Sequence, residues 1–186
     1  IIMGISEIIG INLPENFKTP FFSKTITEFW RKWHITLGSW LRDYIFYPVA
    51  KSDFIQNFRT FITKKCGKWC GRKLPIYLSM LVMWLLIGIW HGGEYKYIIS
   101  SGILQFIFMV LEDILEPVFI KINKKIGIKN DVFSYKLYQC LRTYCLFSFA
   151  MIFFRASSIT NAFEIIKNMF IWNPWILFDG SLYYAG

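Results

Sequence analysis

LPIYLSMLVMWLLIGIW, residues 74–90, runs for seventeen positions without a charged side chain. An uncharged run of that length sits at the low end of what crosses a bilayer as a helix. His91, Gly92 and Gly93 end the run, so residues 74–91 read as a membrane helix. Glu94 and Lys96 mark a short polar turn after it. A second apolar segment over 97–111 is closed by Glu112 and Asp113. The two segments predict a membrane hairpin. His91 then lies towards the face opposite whatever precedes Leu74, or sunk below it.

What precedes it is basic. Residues 51–73 carry Lys51, Arg59, Lys64, Lys65, Lys68, Arg72 and Lys73 against Asp53, and read as a basic loop. Such an excess near a span favours the cytoplasmic side. Within it Phe54, Ile55, Phe58, Phe61 and Ile62 fit a short amphipathic helix on the membrane. A second basic loop, 121–132, holds Lys121, Lys124, Lys125 and Lys129 against Asp131, and returns to the same side. Residues 133–154 are the next membrane helix, interrupted by Lys136 and Arg142. Ser158 or Thr160 caps a modest amphipathic helix over 161–172, and NPWILFDGSLYYAG follows as loop or as the lead-in to another span. Residues 1–11 read as the end of a membrane helix already under way, and Pro14 and Pro20 break the connector after it.

Residues 25–48, TITEFWRKWHITLGSWLRDYIFYP, behave differently. Thr25 with Glu28 fits a capping box, with Ser23 a rival cap. Pro48 predicts the end of the helix, because it lacks an N–H. Between them Ile26, Phe29, Trp30, Trp33, Leu37, Trp40, Leu41 and Tyr44 recur at three- and four-residue steps, one apolar face. The charges Glu28, Arg31, Lys32, Arg42 and Asp43 make 25–47 a poor simple span, since each costs several kcal/mol in hydrocarbon unless shielded. The tryptophans suit a membrane interface, where an apolar ring keeps a wet N–H. The expectation is an interfacial or re-entrant helix.

The totals agree. Of the 186 residues 55% are apolar and 20% aromatic, with eight tryptophans, which argues against a soluble domain. The net charge of +9 comes in blocks beside apolar runs, as anionic headgroups favour, and not as a surface for nucleic acid. Cys66 and Cys70 lack the spacing of a zinc or redox knuckle, and with two histidines in the chain a metal site has little support. There is no Walker loop, GxGxxG, GxSxG or paired-carboxylate pattern. The expected class is all-α: a polytopic membrane protein whose chain is an internal fragment of a longer one.

Two histidines in so apolar a chain draw attention. His91 stands between Trp90 and two glycines at the end of a span. A buried neutral imidazole there can take a proton from an alcohol while an acyl group moves onto it. A headgroup-level histidine without chemistry fits the residues as well. His34, among Trp30, Trp33 and Leu37, fits structural packing. Arg42 and Asp43 fit either an internal pair or ordinary interfacial charges.

FWRKWH at 29–34, SWLRDYIFYP at 39–48, GIWHG at 88–92 and FFRA at 153–156 together resemble the membrane-bound O-acyltransferase family. The likeness is closest to its bacterial polysaccharide branch, of alginate O-acetyltransferases and D-alanyl transfer proteins of teichoic acid modification. LPENF at 13–17 resembles the lead-in to the first motif. The resemblance implies a helical core around a tunnel, longer than this chain, in the bacterial cell membrane. It implies transfer of an acyl group, acetyl first and D-alanyl as the alternative, from a cytoplasmic-side thioester to a hydroxyl of a cell-surface or secreted polysaccharide. The donor is a co-substrate, acetyl-CoA or an acyl carrier protein, with no bound cofactor. An extracellular acyltransferase is a further implied partner beside membrane lipids. By the same likeness His91 is the general base and His34 a second catalytic or donor-orienting residue. Trp33, Trp90, Arg42, Asp43 and Arg155 fall on substrate-binding or tunnel positions. Val49-Ala50-Lys51-Ser52 departs from the Leu-Gly-Gly stretch of alginate-type members, which leaves the donor open. Rival readings are a transporter and a membrane scaffold for polysaccharide assembly.

Overall fold

The computed structural model describes residues 2–128 and 131–170. Those residues are all-α. In chain order they form α1 (Ile2–Ile8), α2 (Ile26–Lys32), α3 (Ile35–Leu41), a π-helical turn at Arg42–Phe46 and α4 (Tyr47–Lys51). Then come α5 (Asp53–Trp90), the single turn α6 (Tyr95–Tyr97), a second π-helical stretch at Ile98–Ile103, α7 (Leu104–Ile126), α8 (Phe133–Arg155) and α9 (Ile159–Met169). Asp53–Trp90, Tyr95–Ile126 and Phe133–Arg155 are long and apolar enough to cross a membrane. The chain is a multi-pass membrane protein, as its composition predicts.

Several boundaries differ from the sequence expectation. The stretch 25–47 is not one helix. Lys18 N–H donates to Lys32 O at 3.0 Å and Ile35 N–H to Asn16 O at 3.0 Å, a β-bridge that pairs Phe17 with Trp33. That bridge pulls Trp33 into extended backbone and His34 into the left-handed region at φ 50°, ψ 54°. Asn16 then caps α3, its Oδ1 accepting from the Thr36 N–H at 3.0 Å and the Thr36 hydroxyl at 2.6 Å. Pro48 does not end the helix either. It lies in the first turn of α4, where its missing N–H costs nothing. The π-helical turn before it absorbs the change of hydrogen-bond register. The stop falls at Ser52, whose extended backbone breaks the chain before α5.

The basic stretch 51–73 is helix from Asp53 onward and not a loop. Ser52 caps it, accepting from the Ile55 N–H. Its apolar residues already had helical spacing, and like charges along a helix weaken it only slightly. A bend at Gly67, φ 87° and ψ 172°, falls within this basic half, with Lys68, Arg72 and Lys73 beyond it and before the apolar half. The second apolar segment likewise continues past Glu112 and Asp113. α7 runs to Ile126, so 121–126 are helix too, and Gly127 at φ 78° ends it. Lys129 and residues 171–172 of the expected 161–172 helix lie outside the described residues, as does NPWILFDGSLYYAG. Ser158 is the cap of α9, accepting from the Asn161 N–H at 3.1 Å.

Packing between spans cannot lean on the hydrophobic effect, because lipid tails are as apolar as leucine. Close approach and interhelical hydrogen bonds carry it instead. Gly88 of α5 and Gly102 of the second π-helical stretch provide the approach. A Cβ on Gly88 would come within 2.7 Å of Ile98 Cα, and one on Gly102 within 3.1 Å of Trp84 O. Asp113 of α7 is bonded by Lys73 Nζ, at 2.6 and 2.7 Å, and by the Tyr77 hydroxyl, both from α5. Around α2 lies an aromatic core. Phe29 packs on Phe147 at 4.4 Å between ring centroids, stacks on Trp33 at 5.5 Å and meets Trp30 edge-on at 5.4 Å. Each such pair adds about 0.5–1.5 kcal/mol.

Candidate functional site

The site is built from two chain ends that meet. One is the end of α2. Thr25 starts that helix, its hydroxyl accepting from the Glu28 N–H at 2.9 Å. The Glu28 carboxylate reaches back to the Lys24 N–H at 2.9 Å, one residue before the position a capping box uses. Burial alone pushes the Glu28 carboxyl up. The Lys32 ammonium at 2.7 Å, the Lys24 N–H and both positive charges outweigh it and hold the group below the usual carboxylate range. One α2 face carries Thr27, Trp30 and Trp33 and ends at His34, where the bridge to Phe17 forces the turn. A left-handed residue other than glycine costs about 1–2 kcal/mol. Strain of that kind collects at functional sites.

The other end is that of α5. Its last turn donates His91 N–H to Ile87 O at 3.1 Å, and Gly92 and Gly93 then take positive φ. His91 therefore sits in the turn just beyond the span. Its ring meets Trp90 at 4.8 Å and stands perpendicular to Phe154 of α8 at 5.2 Å. Trp90 also faces His34 edge-on at 6.4 Å. The indole thus stands between the two imidazoles.

Both imidazoles line one cavity of about 740 Å³. Its wall takes Trp30, Trp33, Leu37 and Leu41 from α2 and α3, Met80, Met83, Trp84, Ile87 and Trp90 from α5, and Phe147, Met151 and Phe154 from α8. It is apolar with a few polar groups, the usual make-up of a small-molecule site. His34 Nδ1 and Trp84 Nε1 are buried without a hydrogen-bond partner among the described residues. Burial pushes the His91 imidazole below its ordinary pKa, and the nearby His34 adds to the shift. That shift favours the neutral imidazole, whose lone pair can accept a proton.

Of the residues singled out from sequence, Trp33, His34, Arg42, Trp90 and His91 share the cavity wall. Asp43 and Arg155 do not. Asp43 is half exposed and pairs with Arg42 Nε at 3.3 Å, and Arg155 is exposed at the end of α8. Sequence reasoning missed Trp84 and Phe147, which sit mid-span and look like any other apolar residue there. It also missed Gln105 of α7, which is fully buried and accepts from Trp30 Nε1–H at 3.1 Å. An uncharged amide inside a span was the available signal.

The described residues thus define a polytopic helical membrane protein with two histidines on one apolar cavity. The chain is homologous to the alginate O-acetylases and teichoic acid D-alanyltransferases of the membrane-bound O-acyltransferase family, which bears out the resemblance of its motifs. It is 28% identical over 175 residues to a probable alginate O-acetylase of Pseudomonas syringae pv. tomato, covering 94% of this chain and 28% of that protein. It is 36% identical over 124 residues to a teichoic acid D-alanyltransferase of Bacillus subtilis, covering 66% of this chain and 27% of that protein. A peptidoglycan O-acetyltransferase of Helicobacter pylori is 25% identical over 170 residues, 90% of this chain and 27% of that protein. The chain therefore spans less than a third of the length of these relatives. No family model matches it.

Proposed function

We infer that the full-length protein is a membrane O-acyltransferase that moves an acyl group, acetyl first, from a thioester donor to a hydroxyl of a cell-surface polysaccharide. The observation that carries this reading is the pairing of His91 and His34 on one apolar cavity inside a membrane helix bundle. The homology supports the reaction class. In this mechanism neutral His91 takes the proton of the acceptor hydroxyl as its oxygen attacks the thioester carbonyl carbon. The C–S bond breaks, the ester forms, and the thiolate leaves to be protonated by the imidazolium. That returns His91 to its starting state. His34 orients the donor or acceptor from the opposite wall, with Trp90 and Trp33 as the apolar sides of the passage. Arg42, at the rim, favours an anionic portion of a substrate. Asp43 acts through Arg42, and Arg155 is a contact outside the cavity.

D-alanyl transfer to teichoic acid would use the same geometry, and the 36% identity to the Bacillus subtilis protein supports it as the second reading. The test is transfer by purified full-length protein from labelled acetyl and D-alanyl thioesters, on CoA and on an acyl carrier protein, to polysaccharide acceptors. Labelled ester on the acceptor from the acetyl donor is expected. Labelling from the D-alanyl donor alone would select the second reading. Labelling from neither, with acceptor carried across the bilayer, would favour a transporter.

A further inference from the structure

We propose that Glu112 of α7 is a positioning residue for the His34 side of the cavity, acting through α2; the proposal rests on the acyl-transfer reading. Glu112 Oε1 accepts from the Ile26 N–H at 3.3 Å, and Oε2 from the Thr27 N–H at 3.3 Å and the Thr27 hydroxyl at 3.5 Å. These are orphan donors of the first turn of α2. Arg142 of α8 closes the arrangement, its Nη2 donating to Glu112 Oε1 at 3.2 Å and to Lys24 O at 3.0 Å. Both charged side chains are largely buried, at 18% and 27% exposure. Seven residues earlier on the same face of α7, Gln105 holds Trp30. α7 thus grips α2 at its start and at its middle. The far end of that short helix, tied to Phe17 by the β-bridge, is Trp33 and His34, so the direction of α2 and that bridge together decide where the His34 ring stands relative to Trp90. Among the described residues Thr27 is the cavity-lining partner that Glu112 hydrogen-bonds.

The test uses the full-length protein in nanodiscs, with Glu112→Ala and Glu112→Gln variants. Two readouts are taken: amide hydrogen exchange by segment, and steady-state acyl transfer. Glu112→Ala is expected to speed exchange over 26–34 while α5 and α8 exchange as in wild type. It should lower kcat at least about tenfold with little change in KM, since small misplacement of a reacting group is costly. Glu112→Gln, which keeps one acceptor oxygen, falls between wild type and Ala in both readouts. Unchanged exchange over 26–34 in Glu112→Ala would overturn the proposal. So would exchange that rises equally in every helix, which marks general destabilisation. If wild type transfers no acyl group, the acyl-transfer reading falls, and the exchange data still judge the grip of Glu112 on α2.

Discussion

At the scale of single residues, the proposed chemistry rests on the His91 imidazole, whose surroundings set its proton affinity. Burial lowers its pKa, with His34 adding to the effect. A general base works only unprotonated, so the sign is fixed: activity is full above the lowered pKa and falls as pH drops through it. The acid limb of kcat/KM in the full-length protein is expected below the ordinary imidazole value of about 6.5. His34→Ala should move that limb upward, because the electrostatic contribution of His34 to the shift is gone. A limb at or above the ordinary value would mean that His91 is solvated. His91 was legible from sequence because a histidine followed by two glycines interrupts an uncharged run. The conformation of His34 was not, because the bridge that bends it comes from Asn16–Lys18, and hydropathy patterns carry no such pairing. Asp43 and Arg155 are recognisable motif positions, yet both are exposed and neither lines the cavity.

At the scale of elements, glycine contacts and polar bonds between helices hold the site's two halves together. Gly88 lets α5 meet the second π-helical stretch backbone to backbone. Gly88→Leu should cost about 1–3 kcal/mol by overpacking, read as a lower Tm of the full-length protein in detergent. A wild-type Tm would show that the contact at 2.7 Å relaxes freely. The Trp30–Gln105 hydrogen bond is a second test. A double-mutant cycle with Trp30→Phe and Gln105→Leu is expected to give a coupling of about 0.6–2 kcal/mol. Zero coupling would remove that bond from the account. The helical periodicity of 25–47 foretold helix but not its break, since Asn16, twenty positions from Thr36, supplies the cap. The same blindness made a loop of 51–73. Charge marks the side of the membrane without saying whether the backbone is helical, and the helical spacing of Phe54, Phe58, Phe61 and Ile62 was the better guide.

At the scale of the whole molecule, three spans place the basic halves of α5 and α7 at one face and His91 at the other end of α5. With the other cysteines replaced, Cys66 should react with a membrane-impermeant maleimide from the cytoplasmic side only. Tyr95→Cys, in the turn beyond His91, should react from the opposite side only or along a water-filled route. Labelling of both from one side would refute the topology. The apolar runs located α8, Phe133–Arg155 against an expected 133–154, but Asp53–Trp90 and Tyr95–Ile126 run well beyond the expected 74–91 and 97–111. The cavity was not legible, because α2, α3, α5 and α8 approach it from separate parts of the chain.

The most direct measurement of the central claim is single-turnover acyl transfer by full-length His91→Ala, with its fold checked by hydrogen exchange. Loss of about 10²–10⁴-fold in rate, with donor binding retained, is the expected result. Wild-type turnover in a folded His91→Ala protein would contradict the account.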